Sequence, residues 1–126
     1  MTVCLDSWAV LRWLEGTEPA ASRVEEALDR QPVMSWMNLG EVYYVVYRAA
    51  GEPRADEVAR DLQARVALDT TSPGRIIEAA TIKALHPMAF GDAFAIATTL
   101  AHDAVLFTGD PEIVDRERLC AVEDLR

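Results

Sequence analysis

FGDAFAIATTLAHDAVLFTGDPEIVD, residues 90–115, holds two carboxylates at points that regular structure makes special. The run after Gly91 and Asp92 is rich in Ala and Leu and predicts a helix, which puts Asp92 at a helix N-terminus, where the backbone dipole favours negative charge. AVLFT is short, apolar and β-branched at its end, so it reads as a buried strand, and Gly109 and Pro111 mark a turn beyond it. Asp110 then stands at a strand's carboxyl end. In an open α/β sheet the ligand crevice lies just outside those ends, so the reading turns on whether further acids arrive there.

At the other end of the chain, TVCL (residues 2–5) predicts a strand that stops at Asp6. Ser7 opens the amphipathic run SWAVLRWLEG, closed by Gly16, with Trp8 and Leu11 apolar, Trp13 and Leu14 as further candidates, and Arg12 outward. Pro19 starts a crossover helix carrying Val24, Ala27 and Leu28 at helical spacing. Val33 to Ser35 follows as a second parallel strand, placed beside the first by right-handed crossover geometry. In NLGEVYYVVYRAAG, Leu39, Val42, Tyr43, Val46 and Ala50 recur at helical intervals, which outweighs the β-propensity of VYYVV and places Glu41 in the first helical turn.

Pro53 introduces a charged surface helix with Val58 and Leu62 on one face, and Ala67 to Asp69 is a candidate edge strand. SPGRIIEAATIKALH predicts another helix, with Ile76, Ile77 and Ala80 inward and His86-Pro87 as its stop. Leu119 to Val122 is a candidate last edge strand, and EDLR reads as a frayed tail. The alternation predicts one α/β domain over residues 1–126, three layers deep, with a mostly parallel sheet of four or five strands.

Composition bounds the chemistry. With 51% hydrophobic residues in 126, the chain can build a core. No apolar run approaches the roughly 20 residues that span a bilayer, and no signal-peptide layout opens the chain, so a cytoplasmic protein is expected. Cys4 and Cys120 lack metal-ligand spacing and read as buried free thiols. A net charge of −9 opposes broad electrostatic binding of nucleic acid, unless the acids are concentrated where a divalent cation reverses the local sign. The twelve basic residues are eleven Arg and Lys83, and Arg suits bidentate phosphate contacts.

Asp6, Glu41, Asp92 and Asp110 thus fall at comparable places in the architecture, separated by 35, 51 and 18 positions. Each has an ordinary structural reading: Asp6 and Asp92 as helix N-caps, Glu41 closing a capping box with Asn38, Asp110 as an Asx turn. Four carboxylates brought together would repel and raise at least one pKa unless a cation offsets them, and hard oxygens suit Mg²⁺ or Mn²⁺.

Asp6 after the first strand, Glu41, FGDAFAIATTLA and LFTGDPEI together resemble the PIN-domain nucleases, most closely the small VapC-type toxins, over essentially the whole chain. The resemblance implies a metal-dependent endoribonuclease whose acids are Asp6, Glu41, Asp92 and Asp110, with the metal held mainly by Asp6 and Asp92 and the others completing the site directly or through water. It also implies a structured RNA target such as a tRNA or rRNA loop, a cognate VapB-type antitoxin and a homodimer. Hydrolysis assisted by divalent ions fits these residue types, because attack on an anionic phosphodiester builds further negative charge. Thr108 and Ser7 are auxiliary candidates that orient water or a carboxylate, with a structural hydrogen bond as the equal alternative.

Arg12, Arg48 and Arg116 are candidates for phosphate contact, and Trp8, Trp13 and Trp36 for base stacking, each weighed against solvation or packing. His86 and His102 are too few and too scattered for imidazole catalysis. Two rival functions stand beside the nuclease: a catalytically silent PIN-like protein-binding module, and a Mg²⁺-binding phospho-receiver domain. The receiver normally needs an acidic pair after the first strand and a lysine after the last core strand, whereas here Ser7 follows Asp6 and Lys83 lies in a predicted helix.

Overall fold

The computed structural model describes residues 1–126 and is built on β1 (Val3–Leu5), whose three residues are all buried. Asp6 leaves this strand in an extended conformation, and its carboxylate accepts the Ala9 N–H at 2.8 Å, capping α1 (Ser7–Glu15). Gly16 ends α1 at φ 74°, in the left-handed region that glycine enters freely, and its N–H closes on the Arg12 and Trp13 carbonyls. There follow α2 (Ala20–Leu28), β2 (Val33–Ser35), α3 (Trp36–Ala50), α4 (Glu52–Arg65), β3 (Ala67–Asp69), α5 (Pro73–Leu85), α6 (Phe90–Ala101), β4 (Val105–Thr108), α7 (Pro111–Val114) and β5 (Val122–Asp124).

The five strands are all parallel and lie in the order β3-β2-β1-β4-β5. The chain works outward from β1 through β2 to β3, then returns to the other side of β1 as β4 and β5. The order therefore reverses between β1 and β4, and the crevice of such a sheet opens at the carboxyl ends of those two strands. Period-two alternation divides the core. Val3 and Leu5 share one cluster with Phe107, Val24, Leu39 and Leu62, so α1 to α4 cover one face. Cys4 and Leu106 point the other way, into a cluster with Ala79, Phe94 and Ile96 from α5 and α6. This is the three-layer architecture expected from the sequence, with five strands. Both cysteines are free and buried.

Several boundaries differ. The α3 helix starts at Trp36, two residues before Asn38, because the Ser35 hydroxyl accepts the Met37 N–H at 3.1 Å. Glu41 therefore sits in the second turn, not the first, and Asn38 is no cap. Ala89, not Asp92, is the N-cap of α6, and Asp92 lies inside its first turn. Ile76 and Ile77 face solvent, 41% and 66% exposed, whereas Ala79 is the buried residue of α5. The paired isoleucines span two adjacent faces, and close packing of α5 on α6 takes the small residue. The last strand is β5 at Val122–Asp124 rather than Leu119 to Val122, and the expected frayed tail is held. Leu125 is buried and its N–H donates to the Thr108 carbonyl at 2.9 Å, while Arg126 pairs with Asp115 and Asp124. The four-residue α7 has too little periodicity to be visible in the sequence.

Candidate metal centre

Two of the four acids flank the switch point directly. Asp6 follows β1 and Asp110 follows β4, and the Thr108 hydroxyl ties them: it accepts the Asp110 N–H at 3.0 Å and hydrogen-bonds the Asp6 carboxyl. The Asp110 carboxylate also caps α7 by accepting the Glu112 N–H at 2.9 Å. Asp6 is 3% exposed. Burial pushes its carboxyl up to about 7; the hydrogen bonds from Thr108 and Ala9 oppose this rise, and repulsion from Asp110 and Glu41 adds to it.

Glu41 reaches the same place from α3. Its Oε1 accepts hydrogen bonds from the Ser7 hydroxyl at 3.1 Å and the Asn38 amide at 2.8 Å. The same Asn38 nitrogen donates to the Gly91 carbonyl at 3.0 Å, which joins α3 to the first turn of α6. Gly91 leaves room for the Glu41 carboxylate, which a Cβ at that position would overlap. Asp92, the next residue, is half-buried. Its carboxyl is strongly raised, first by burial, then by its hydrogen bond to Glu112 and by repulsion from Asp110, Glu112 and Asp6. Glu112 is lowered in turn, chiefly by that bond and by the Ala89 N–H it accepts at 3.1 Å.

All four expected acids thus meet at one end of the sheet, and both auxiliary hydroxyls are bonded into the group, Ser7 to Glu41 and Thr108 to Asp6. Glu112 and Asn38 are members the sequence reading passed over. The Asp110-Pro111-Glu112 spacing is the signal for Glu112, since an acid two residues beyond a capped turn lies beside the cap. Asn38 is one helical turn from Glu41 and was read only as a capping partner. Trp8 is also structural here: its indole lies so close to Gly109 that any Cβ would overlap the ring. Arg12 stacks over that ring at 4.7 Å, and Arg48 over Tyr44 at 5.1 Å.

Three or more of these side chains are not gathered around a single point in coordinating geometry. The donor set nevertheless fits a hard divalent cation. It consists of oxygen donors alone, carries more negative charge than its hydrogen bonds offset, and leaves the buried Asn38 Oδ1 without a partner. A cation there would offset the burial and repulsion that raise the Asp6 and Asp92 carboxyls.

No curated protein matches the chain in sequence. Among solved structures, VapBC2 from Rickettsia felis bound to a promoter DNA fragment superposes with a TM-score of 0.77 at 14% identity, covering 100% of both chains. DNA-bound VapBC from Salmonella typhimurium gives 0.76 at 17% identity over 98% of each. VapC20 from Mycobacterium tuberculosis, described as a sarcin-ricin loop cleaving toxin, gives 0.71 at 15% identity over 87% of this chain and 91% of its own. At such identities the likeness is one of fold. In sequence, the PIN domain model matches residues 3–119, from β1 to beyond the last of the four acids, and the chain belongs to the PIN domain family.

Proposed function

We propose that this chain is a metal-dependent endoribonuclease of the VapC type, the toxin of a toxin–antitoxin pair. The observation that carries the reading is the convergence of Asp6, Glu41, Asp92 and Asp110 on the crevice between β1 and β4, where burial and mutual repulsion raise the Asp6 and Asp92 carboxyls. Asp6 and Asp92 would hold Mg²⁺ or Mn²⁺, with Glu41 and Asp110 completing the set directly or through water. When bound, the ion supplies charge neutralisation at the phosphoryl oxygens and lowers the pKa of water.

The chain's own groups do the rest. Ser7 and Asn38 fix the Glu41 carboxylate from two sides, Thr108 orients Asp6, and a carboxylate freed of its proton can accept one from the attacking water. Hydrolysis by water leaves a 5′-phosphate and a 3′-hydroxyl, with no role for the ribose 2′-hydroxyl as nucleophile.

An RNA loop in tRNA or rRNA is the proposed target, and the fold shared with a sarcin-ricin loop cleaving toxin supports it. A VapB-type antitoxin is the proposed partner, since structural neighbours are VapBC complexes. Exposed Ile77, Leu85 and Leu100 are suited to burial against protein, either antitoxin or a second copy in a homodimer. No helix is long and apolar enough to cross a membrane, in keeping with a cytoplasmic site of action.

The silent-module reading is disfavoured because all four acids are present and bonded into one group. The receiver reading fails on Lys83, which lies on α5 and donates to the Met88 carbonyl at 2.8 Å rather than following a core strand. The test is incubation of purified, antitoxin-free protein with total RNA in Mg²⁺, Mn²⁺ or chelator, followed by analysis of the product ends. Discrete, metal-requiring cuts with 5′-phosphate ends are expected; 2′,3′-cyclic phosphates would reject the mechanism.

A further inference from the structure

In a chain of net charge −9, half of the twelve Lys and Arg side chains are spent on carboxylates: Arg12, Arg23, Arg54, Arg65, Arg75 and Arg126 form ion pairs. Arg116 does not. It is exposed and lines a recess with Pro111, Glu112 and Asp115, immediately beside the acids described above. Asp115, its obvious partner, is taken by Arg126 at 3.0 Å. Arg116 also lines a second cleft of about 300 Å³ with His86, Pro87, Met88, Glu117 and Leu119. Lys83, the only lysine, reaches the wall of that cleft through its bond to the Met88 carbonyl and pairs with no carboxylate. His86 is half-buried there, and its only acidic neighbour is Glu117, 3.7 Å away and 77% exposed.

We propose that the cleft lined by His86 and Arg116, with Lys83 bonded to its Met88 wall, is a subsite for the RNA backbone, holding a phosphate next to the one being cut. The proposal rests on the nuclease reading. Arg116 is the hinge of the argument, because it lines both recesses: a strand with one phosphate at the acidic crevice continues past Arg116 into the cleft. A guanidinium outside any ion pair can turn its fork to phosphate oxygens, and the Lys83 ammonium at the cleft wall adds a point charge. Pro87, Met88 and Leu119 give the adjoining nucleotide an apolar wall. The arrangement answers the objection that the acidic surface raises, since it places positive charge outside any ion pair next to the acidic crevice.

Anisotropy of a labelled single-stranded oligoribonucleotide, titrated with the non-cleaving Asp92→Asn protein, reads the subsite without turnover. Adding Arg116→Gln is expected to weaken binding roughly tenfold at low salt and to flatten the log–log salt slope by about 0.7, the contribution of one phosphate on a single strand. Arg116→Lys should recover most of the affinity. Arg60→Gln, which removes an exposed arginine of α4, should change neither quantity. Equal effects of Arg116→Gln and Arg60→Gln would overturn the proposal and leave the cations to an acidic protein segment.

Cleavage assays separate the two readings. Cutting with a KM unmoved by Arg116→Gln would sink the subsite alone. Binding that depends on Arg116, with no cutting by the wild-type chain, would sink the nuclease and leave only an RNA-binding cleft.

Discussion

Gly91 in α6 lies against the carboxylate of Glu41 in α3 so closely that no side chain fits between them. The contact brings an acid from one helix to the first turn of another, beside Asp92, and Asn38 reinforces it by bonding both partners. It also separates two roles that are usually entangled. Gly91 has an ordinary helical backbone, and the group that would clash with a Cβ is the far end of a flexible side chain. Gly91→Ala is therefore expected to fold normally, and even to gain up to about 1 kcal/mol of helix propensity, while Glu41 is pushed from its place. Thermal melts should show a Tm equal to or above wild type, with cleavage reduced at least tenfold. A large fall in Tm would show that the helices, not the carboxylate, yield.

Removing one of the crowded charges should separate stability from activity in the same sense. In Asp6→Asn the amide oxygen can still accept from Ala9 and Thr108, so the cap of α1 survives. Without metal at pH 8 the variant is expected to be as stable as wild type or more so, because it no longer buries a repelled charge. Its cleavage should fall by more than the roughly 10- to 100-fold that loss of an outer-shell partner costs. Chemical denaturation and cleavage rates on the same preparation check both halves.

Acidity gives a third expectation. Asp6 sits near 3.8 in an unfolded chain and about 7 in the folded one, so between those values the folded state binds more protons. Stability from this group is therefore complete below about pH 4 and is lost as the pH rises to about 7. Asp92, raised in the same direction, extends the loss. The metal-free protein should be less stable at pH 8 than at pH 5 by an amount on the order of a few kcal/mol. Saturating Mn²⁺ should remove most of the difference, and an apo protein that gains stability across this range would refute the repulsion.

Two strands away from β1, Asp69 at the end of β3 accepts both arms of Arg75, at 3.1 and 3.2 Å, and lies 2.6 Å from His102 Nε2. It pins the edge strand to α5 and to the C-terminus of α6. Burial alone would raise its carboxyl, but the bonds from Arg75 and His102 outweigh burial and hold it below the usual range. Its stabilisation is thus present above about pH 4 and is lost as the pH falls further. Asp69→Ala is expected to cost about 2 kcal/mol at neutral pH, the scale of lost charged hydrogen bonds, without altering metal affinity. Urea denaturation and Mn²⁺ titration report on the two separately.

How much of this could be read from the sequence differs by element. Asp6 and Asp110 were legible because each ends a short apolar strand, and strand ends are where this class of sheet builds its crevice. Glu41 and Asp92 fall one step deeper in their helices than the local caps imply, since Ser35 and Ala89 start those helices earlier. Glu112 was missed because its role depends on the turn at Pro111 folding it back toward Asp92, a long-range contact that no local periodicity encodes. The outward turn of Ile76 and Ile77 was missed for a similar reason: α5 chose its buried face by fit against α6, not by hydrophobicity alone.

The most direct measurement is cleavage of end-labelled RNA by wild-type protein and by Asp92→Asn, side by side, with Mg²⁺, Mn²⁺ or chelator. Asp92 is repelled by Asp110, Glu112 and the buried Asp6, so removing its charge tests the crowded group directly. Discrete cuts are expected that need the metal and vanish in the variant while its fold, checked by circular dichroism, is unchanged. Cutting that persists in Asp92→Asn, or in chelator, would contradict it.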